Sequence, residues 1–141
     1  MHDVTIRRAT LDDAAAIASL AGELGYPTTA DAMRPRLAAQ LERVLVAECG
    51  GRVAGWIQVR EMEAIESGAF AEISGLVVAE PLRGGGIGAR LVDAAEAWAR
   101  ERGFARIRVR SNVVRTETHR FYERRGYATV KSQRVFDKVL A

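Results

Sequence analysis

The chain has 141 residues, 48% of them hydrophobic and 28% charged, which bounds it to one compact domain of ordinary globular composition. A chain of this length buries roughly 68–70% of its unfolded surface, so it needs neither a disulfide nor a metal to hold it together, and no metal is expected. The formal net charge is +3, nearly all of the positive charge being arginine. That balance suits an anionic ligand without requiring one, and no Lys/Arg block is long enough to act as a nucleic-acid tail.

The start, Met1-His2-Asp3, lacks the basic segment and apolar run of a signal peptide, and no stretch approaches the roughly 20 apolar residues of a membrane span. A cytoplasmic protein with no membrane or nucleic-acid partner is the expectation. Val4 to Arg8 reads as a strand. Thr10 opens a helix with Asp12 and Asp13 in its first turn, where the helix dipole favours acids. Ala14, Ile17, Ala18, Ala21 and Leu24 keep the helical period, and Gly25 ends it. A second helix is predicted over Ala30 to Leu41, capped by Thr28 or Thr29 and broken or kinked near Pro35.

Arg43 to Cys49 and Arg52 to Arg60 read as two strands joined by the hairpin signal Gly50-Gly51. Cys49 is the single cysteine, which excludes an intrachain disulfide and fits a reducing compartment. Glu61 to Gly68 is polar and reads as an irregular loop, in which Glu61, Glu63 and Glu66 form either an acidic rim that would attract a cationic amine or a plain solvated segment. Ala69 to Val78 is the next strand, Pro81 to Gly85 a loop, and about Gly86 to Arg102 a third helix with one apolar face (Ile87, Leu91, Val92, Ala95, Trp98). Phe104 to Arg110 alternates apolar residues with Arg for part of its length and reads as a strand. A fourth helix is predicted over roughly Val114 to Arg125, and one or two final strands over Tyr127 to Leu140. The order β-α-α-β-β-β-α-β-α-β implies a mixed sheet with helices on both faces.

The stretch from Glu72 to Ala89 carries the chemistry: a strand, then Arg83-Gly84-Gly85-Gly86-Ile87-Gly88-Ala89, then a helix. Unpartnered N–H groups at the turn and the helix start form an anion site that the helix dipole strengthens. Glycines allow a phosphate to approach closely. A Walker A loop is excluded because no Gly-Lys-Ser/Thr follows. Gly84-x-Gly86-x-x-Ala89 formally matches a dinucleotide fingerprint, but the next strand ends in Val109-Arg110-Ser111-Asn112 without the acidic ribose partner.

Arg-x-x-Gly-x-Gly at residues 83 to 88 resembles the acetyl-CoA signature of the GNAT superfamily of N-acetyltransferases. The likeness covers nearly the whole chain. Phe121-Tyr122 ahead of Gly126-Tyr127, and Asn112-x-x-Arg115 ahead of His119-x-Phe121-Tyr122, resemble that family's C-terminal pattern. The resemblance implies an α/β GNAT fold: a mixed, mostly antiparallel sheet splayed between strands 4 and 5, with helices on both faces. It also implies acetyl-CoA as co-substrate, gripped at Arg83 to Ala89, with its pantetheine arm pairing along Leu76, Val77 and Val78. The reaction implied is direct attack of an amine, so Cys49 is not needed as a nucleophile.

Tyr122 sits where the family often has a general acid for the departing thiolate. A phenol's pKa of about 10 keeps it protonated at neutral pH. The other reading is a tyrosine that only packs. Asn112 either bonds the pantetheine or caps a turn. Glu72, within Phe70-Ala71-Glu72-Ile73, resembles the catalytic glutamate of the histone-acetylating branch and is the candidate base. A surface glutamate, or one that positions water, is the alternative. His119 reads as a helix-face or dimer-contact residue, and Arg115, Arg124 and Arg125 as solvated arginines that could reach a 3′-phosphate. Many relatives pair, so a homodimer is compatible with the likeness. The acceptor stays open among small amines, aminoglycoside-like compounds and peptide amines. Two alternatives to an acetyltransferase stand: a catalytically silent acyl-CoA-binding sensor, and a nucleotide-cofactor oxidoreductase.

Overall fold

The computed structural model describes residues 3–110 and 116–141. They fall into two compact units, Met1–Val109 and Arg110–Ala141. The first unit holds a five-stranded sheet in the order β1-β2-β3-β4-β5. Its strands are β1 (Val4–Arg8), β2 (Val44–Cys49), β3 (Arg52–Ala64), β4 (Gly68–Val78) and β5 (Ile107–Val109). The first three pairings are antiparallel, and β4 with β5 is parallel. The helices are α1 (Ala14–Leu24), α2 (Ala30–Ala38) and α3 (Ile87–Glu101), and the second unit carries α4 (Thr116–Arg124).

Register decides which residues share a face. Val44 lies opposite Gln58, and Val46 opposite Trp56. Val44 and Val46 cluster with Ile17 of α1 and Leu37 of α2, with Trp56 packed against them. This is the α1/α2 face. On the other face a Cβ at Gly55 would lie 3.3 Å from Leu91 of α3 and 2.8 Å from the Val77 carbonyl oxygen, so only glycine allows β3 and β4 to close here. Strand alternation carries Ile57 and Val59 to the same α3 face. Ile57, Val59, Ile73, Leu91 and Val92 are fully buried, each worth roughly 1.5–3 kcal/mol relative to exposure. The Trp98 indole of α3 donates to the Glu42 carbonyl (2.9 Å), and the Arg102 guanidinium lies over its ring.

Several boundaries differ from expectation. Leu11–Asp13 forms a single 3-10 turn before α1. α2 runs unbroken past Pro35, starting from Thr29, whose hydroxyl accepts from Ala32 N. The proline sits in the second turn, where only one backbone bond is forfeited. β3 continues to Ala64 and β4 begins at Gly68, so the predicted loop over residues 61–68 shrinks to a hairpin tip. Gly68 takes the positive φ (+73°) the tip requires. The predicted final strands are absent: residues 127–141 form neither strand nor helix. Val135, Phe136, Val139 and Leu140 are 87–89% exposed, so this apolar run gains neither a ladder nor a core.

Before α1, Arg7 donates both terminal nitrogens to Asp13 (2.9 and 3.0 Å), and Thr10 N adds a third bond (2.8 Å). The Asp13 side chain is 8% exposed. The Arg7 hydrogen bond is the main reason its carboxyl lies below the ordinary aspartate range. A depressed folded pKa adds stability above the unfolded value, and that stability is lost as pH falls through the folded value. Asp13→Asn is therefore expected to cost about 1–3 kcal/mol at neutral pH and to flatten the loss of stability on acidification. Urea melts at neutral pH and at about pH 3 read both effects; an unchanged acid slope would place that loss elsewhere.

Candidate active site

β4 leads through Glu80–Leu82, a 3-10 turn, into Arg83 and the glycines. Gly84 and Gly86 take φ of +85° and +88°, a region closed to most L-residues. Gly86 is the N-cap of α3, and no side chain caps that end. A Cβ at Gly84 or Gly86 would meet nothing within 4 Å, so open space fronts the loop. An uncapped helix start facing open space, approached by bare backbone, fits an anion such as a pyrophosphate. Arg83 is anchored rather than loose. Its Nε donates to the Val78 carbonyl (3.0 Å), and its Nη2 lies 3.7 Å from Glu23 of α1. Glu23 in turn accepts from Glu80 N (3.0 Å). Half of the Arg83 side chain stays exposed, at 51%. Ile87 is buried beneath the loop, where it seats α3 on the core. Gly88 and Ala89 complete the first turn of that helix.

β5 pairs with β4 only through Ala71, Glu72 and Ile73. β3 pairs with β4 as far as Val78, and a bulge at Ser74 separates the two stretches. Beyond Ile73 the edge of β4 that β5 flanks therefore carries no ladder among the described residues. Leu76, Val77 and Val78 lie along it. The Trp56 ring packs 3.0 Å from the Cβ position of Gly75, and its Nε1 is buried without a hydrogen-bond partner among the described residues.

Glu72 is a buried carboxylate, with 3% of its side chain exposed, on the α1/α2 face. Register sets it opposite Arg60 of β3 and Arg108 of β5. Arg60 Nη2 donates to its Oε2 at 3.1 Å. Two of the three acids of the 61–66 segment are accounted for by the ladder. Glu61 is bound by Arg43 at 2.7 and 3.2 Å, and that contact holds its carboxyl below the ordinary range. Strand alternation turns Glu61 and Glu63 to the face opposite Arg60 and Glu72. Sequence reasoning missed Arg60, Arg106 and Arg108 as neighbours of Glu72. The Arg-x-Arg alternation at 106–108 was the available signal, but it needed the register to acquire a face.

In the second unit, Tyr122 is buried (6% exposed). Its ring meets Phe121 and Tyr127 edge-on, with centroids 5.1 and 5.5 Å away. Gly126 takes φ +90° after α4, and Tyr127 N closes the turn on the Tyr122 carbonyl (3.0 Å). This explains the Phe-Tyr…Gly-Tyr spacing as an aromatic cluster built around a helix end. His119 is half-buried and Arg124 is exposed. Asn112 and Arg115 lie outside the described residues. Among the described residues no group of His, Cys, Asp and Glu is placed to hold a metal, and no helix is long and apolar enough to cross a membrane. A depression beside Arg7, Asp12, Asp13 and Glu48 lies apart from the glycine loop, and Arg7 there already pairs with Asp13 and Glu48.

A mixed five-stranded sheet whose fourth strand passes through a glycine turn into a helix, with β5 paired over only three residues, is the GNAT fold. The chain belongs to the acetyltransferase (GNAT) family, whose profile matches residues 12–127. It is 31% identical over 128 residues to the aminoalkylphosphonate N-acetyltransferase of Salmonella typhimurium, covering 86% of this chain and 83% of that one. A transcriptional regulator from Bacillus halodurans superposes with a TM-score of 0.83 at 25% identity, covering 96% of this chain and all of that one. An aminoglycoside N-acetyltransferase in complex with CoA superposes with a TM-score of 0.85 at 15% identity, covering 98% and 96%, a likeness of fold alone.

Proposed function

We propose that this protein is an N-acetyltransferase that moves the acetyl group of acetyl-CoA to a primary amine by direct attack. The observation that carries the proposal is the Gly84–Gly86 turn, which opens an uncapped helix start to solvent beside Arg83 within a GNAT fold. Acetyl-CoA supplies the thioester when bound. The backbone from Arg83 to Ala89 holds the pyrophosphate, and the open edge at Leu76, Val77 and Val78 receives the pantetheine arm as an added strand would be received. Free N–H groups along that edge are suited to polarising the thioester carbonyl.

In this reading Glu72 takes the proton from the attacking amine, directly or through one water, and Tyr122 gives its hydroxyl proton to the departing sulfur. Asn112 contributes a further bond to the pantetheine. The family match runs across both compact units, which supports treating residues 1–141 as one catalytic domain. Relatives and neighbours point to different acceptors: one is named for aminoalkylphosphonates, others for aminoglycosides, and another for the alanine of a ribosomal protein. A cytoplasmic location and a homodimer complete the proposal.

The deciding experiment is a panel of amines with acetyl-CoA, reading release of free thiol. The expected result is release that depends on at least one amine. CoA binding without any amine-dependent release would replace the enzyme with an acyl-CoA sensor.

A further inference from the structure

On the α1/α2 face, three arginines surround Glu72 and Phe70. Phe70 and Glu72 are alternate residues of β4; Arg108 lies in the parallel neighbour β5, and Arg106 immediately precedes that strand. Both guanidiniums lie over the one buried Phe70 ring, with Cζ 5.0 Å (Arg106) and 4.5 Å (Arg108) from its centroid. Neither can therefore lie farther from the other than those two distances combined. Arg106 is further tied by a 3.0 Å bond to the Ser67 carbonyl. Neither Arg106 nor Arg108 meets a carboxylate at ion-pair distance among the described residues, and Arg106 remains exposed. Arg60 completes the group from β3 and is bonded to Glu72.

Around Phe70, three guanidiniums thus lie near one carboxylate, that of Glu72, among the described residues. Glu61 does not offset them, since it belongs to Arg43 and turns with Glu63 to the opposite face. Stacking on an aromatic ring holds a guanidinium plane in place while leaving its N–H edge free to bond. Two guanidiniums held at one ring suit an oxyanion, which guanidinium binds through paired, charge-assisted hydrogen bonds.

We infer that Arg106 and Arg108, held over Phe70, bind the oxyanion of the acceptor, which is a short aminoalkyl phosphonate, phosphate or carboxylate rather than a polycation. This rests on the acetyltransferase reading and narrows its acceptor. Adjacent strands lie roughly 4.8 Å apart, so an anion over Arg108 leaves its amine, one short alkyl chain away, on the side of Glu72. A polycationic acceptor would meet three like charges on this face.

The test compares aminoethylphosphonate and beta-alanine with propylamine and an aminoglycoside, by kcat/KM at saturating acetyl-CoA, in the wild type, Arg106→Gln and Arg108→Gln. The expected result is a preference of about tenfold or more for the anionic amines over propylamine, which collapses toward unity in both variants through a rise in KM. This ratio is internal to each variant, so a partly unfolded preparation does not imitate its loss. Propylphosphonate, which has no amine, is titrated alongside by calorimetry. Equal or better turnover of propylamine or the aminoglycoside overturns the inference and leaves the acetyltransferase reading standing. If no amine is acetylated but propylphosphonate binds the wild type and neither variant, the acetyltransferase reading fails and the anion site stands. If propylphosphonate does not bind and no amine turns over, both fall.

Discussion

Glu72→Gln is expected to lower kcat by about 10²- to 10⁴-fold, the usual range for loss of a positioned general base, with acetyl-CoA affinity little changed. Glutamine keeps the volume of the buried side chain and an oxygen to accept from Arg60, which now lies 3.1 Å away. What it loses is the capacity to take a proton. If Glu72 serves only to hold Arg60 in place, the amide does that nearly as well and turnover barely moves. Steady-state kinetics paired with acetyl-CoA titration separate the two roles. A loss under about threefold would transfer the proton to a water chain that needs no carboxylate.

Tyr122→Phe is expected to reduce kcat by about 10²-fold or more at neutral pH, again with acetyl-CoA affinity retained. The substitution keeps the ring, and so keeps the edge-on contacts with Phe121 and Tyr127 that close the end of α4. Removing only the hydroxyl leaves those ring contacts in place. A thiolate is a good leaving group, because a thiol's pKa of about 8.5 lies below that of most alkoxide-forming alcohols. The effect should accordingly be largest with weakly basic amines, which expel the thiolate less readily. Unchanged turnover across the amine panel would leave Tyr122 as a packing residue.

The two substitutions touch the face and the aromatic cluster that folding builds for separate reasons. Glu72 lies in a ladder, Arg60–Glu72–Arg108, created by register across three strands. Tyr122 is held by a helix end that Gly126 terminates with φ +90°.

Most of the frame was legible in the chain itself. The period of Ile17, Ala18 and Ala21, the Gly50-Gly51 turn, and the run from Val78 through the glycines into Ile87 are local signals. They depend on backbone conformations that only certain residues adopt. The strand β1 and the start of α2 fall where propensity and capping put them. The final strands failed for a physical reason. A strand is completed by an edge to pair with, and Val135, Phe136 and Val139 are apolar without having one. Pro35 failed in the opposite sense, since one forfeited bond did not outweigh the turn that follows it.

What the chain determined by itself is the glycine turn before α3: Gly84 and Gly86 favour glycine because their φ is positive, and that requirement is written locally. What only the tertiary structure decided is the character of the face beside Glu72. Arg60, Arg106 and Arg108 stand far apart along the chain or look like solvated charges. The acidic residues 61, 63 and 66 allowed a rim of the opposite sign. Hydrogen-bonded register then sent Glu61 to Arg43, Arg60 to Glu72, and Arg106 and Arg108 to Phe70. A side chain's face is set by which strand its own strand pairs with and in what phase, and a shift of one residue would reverse it.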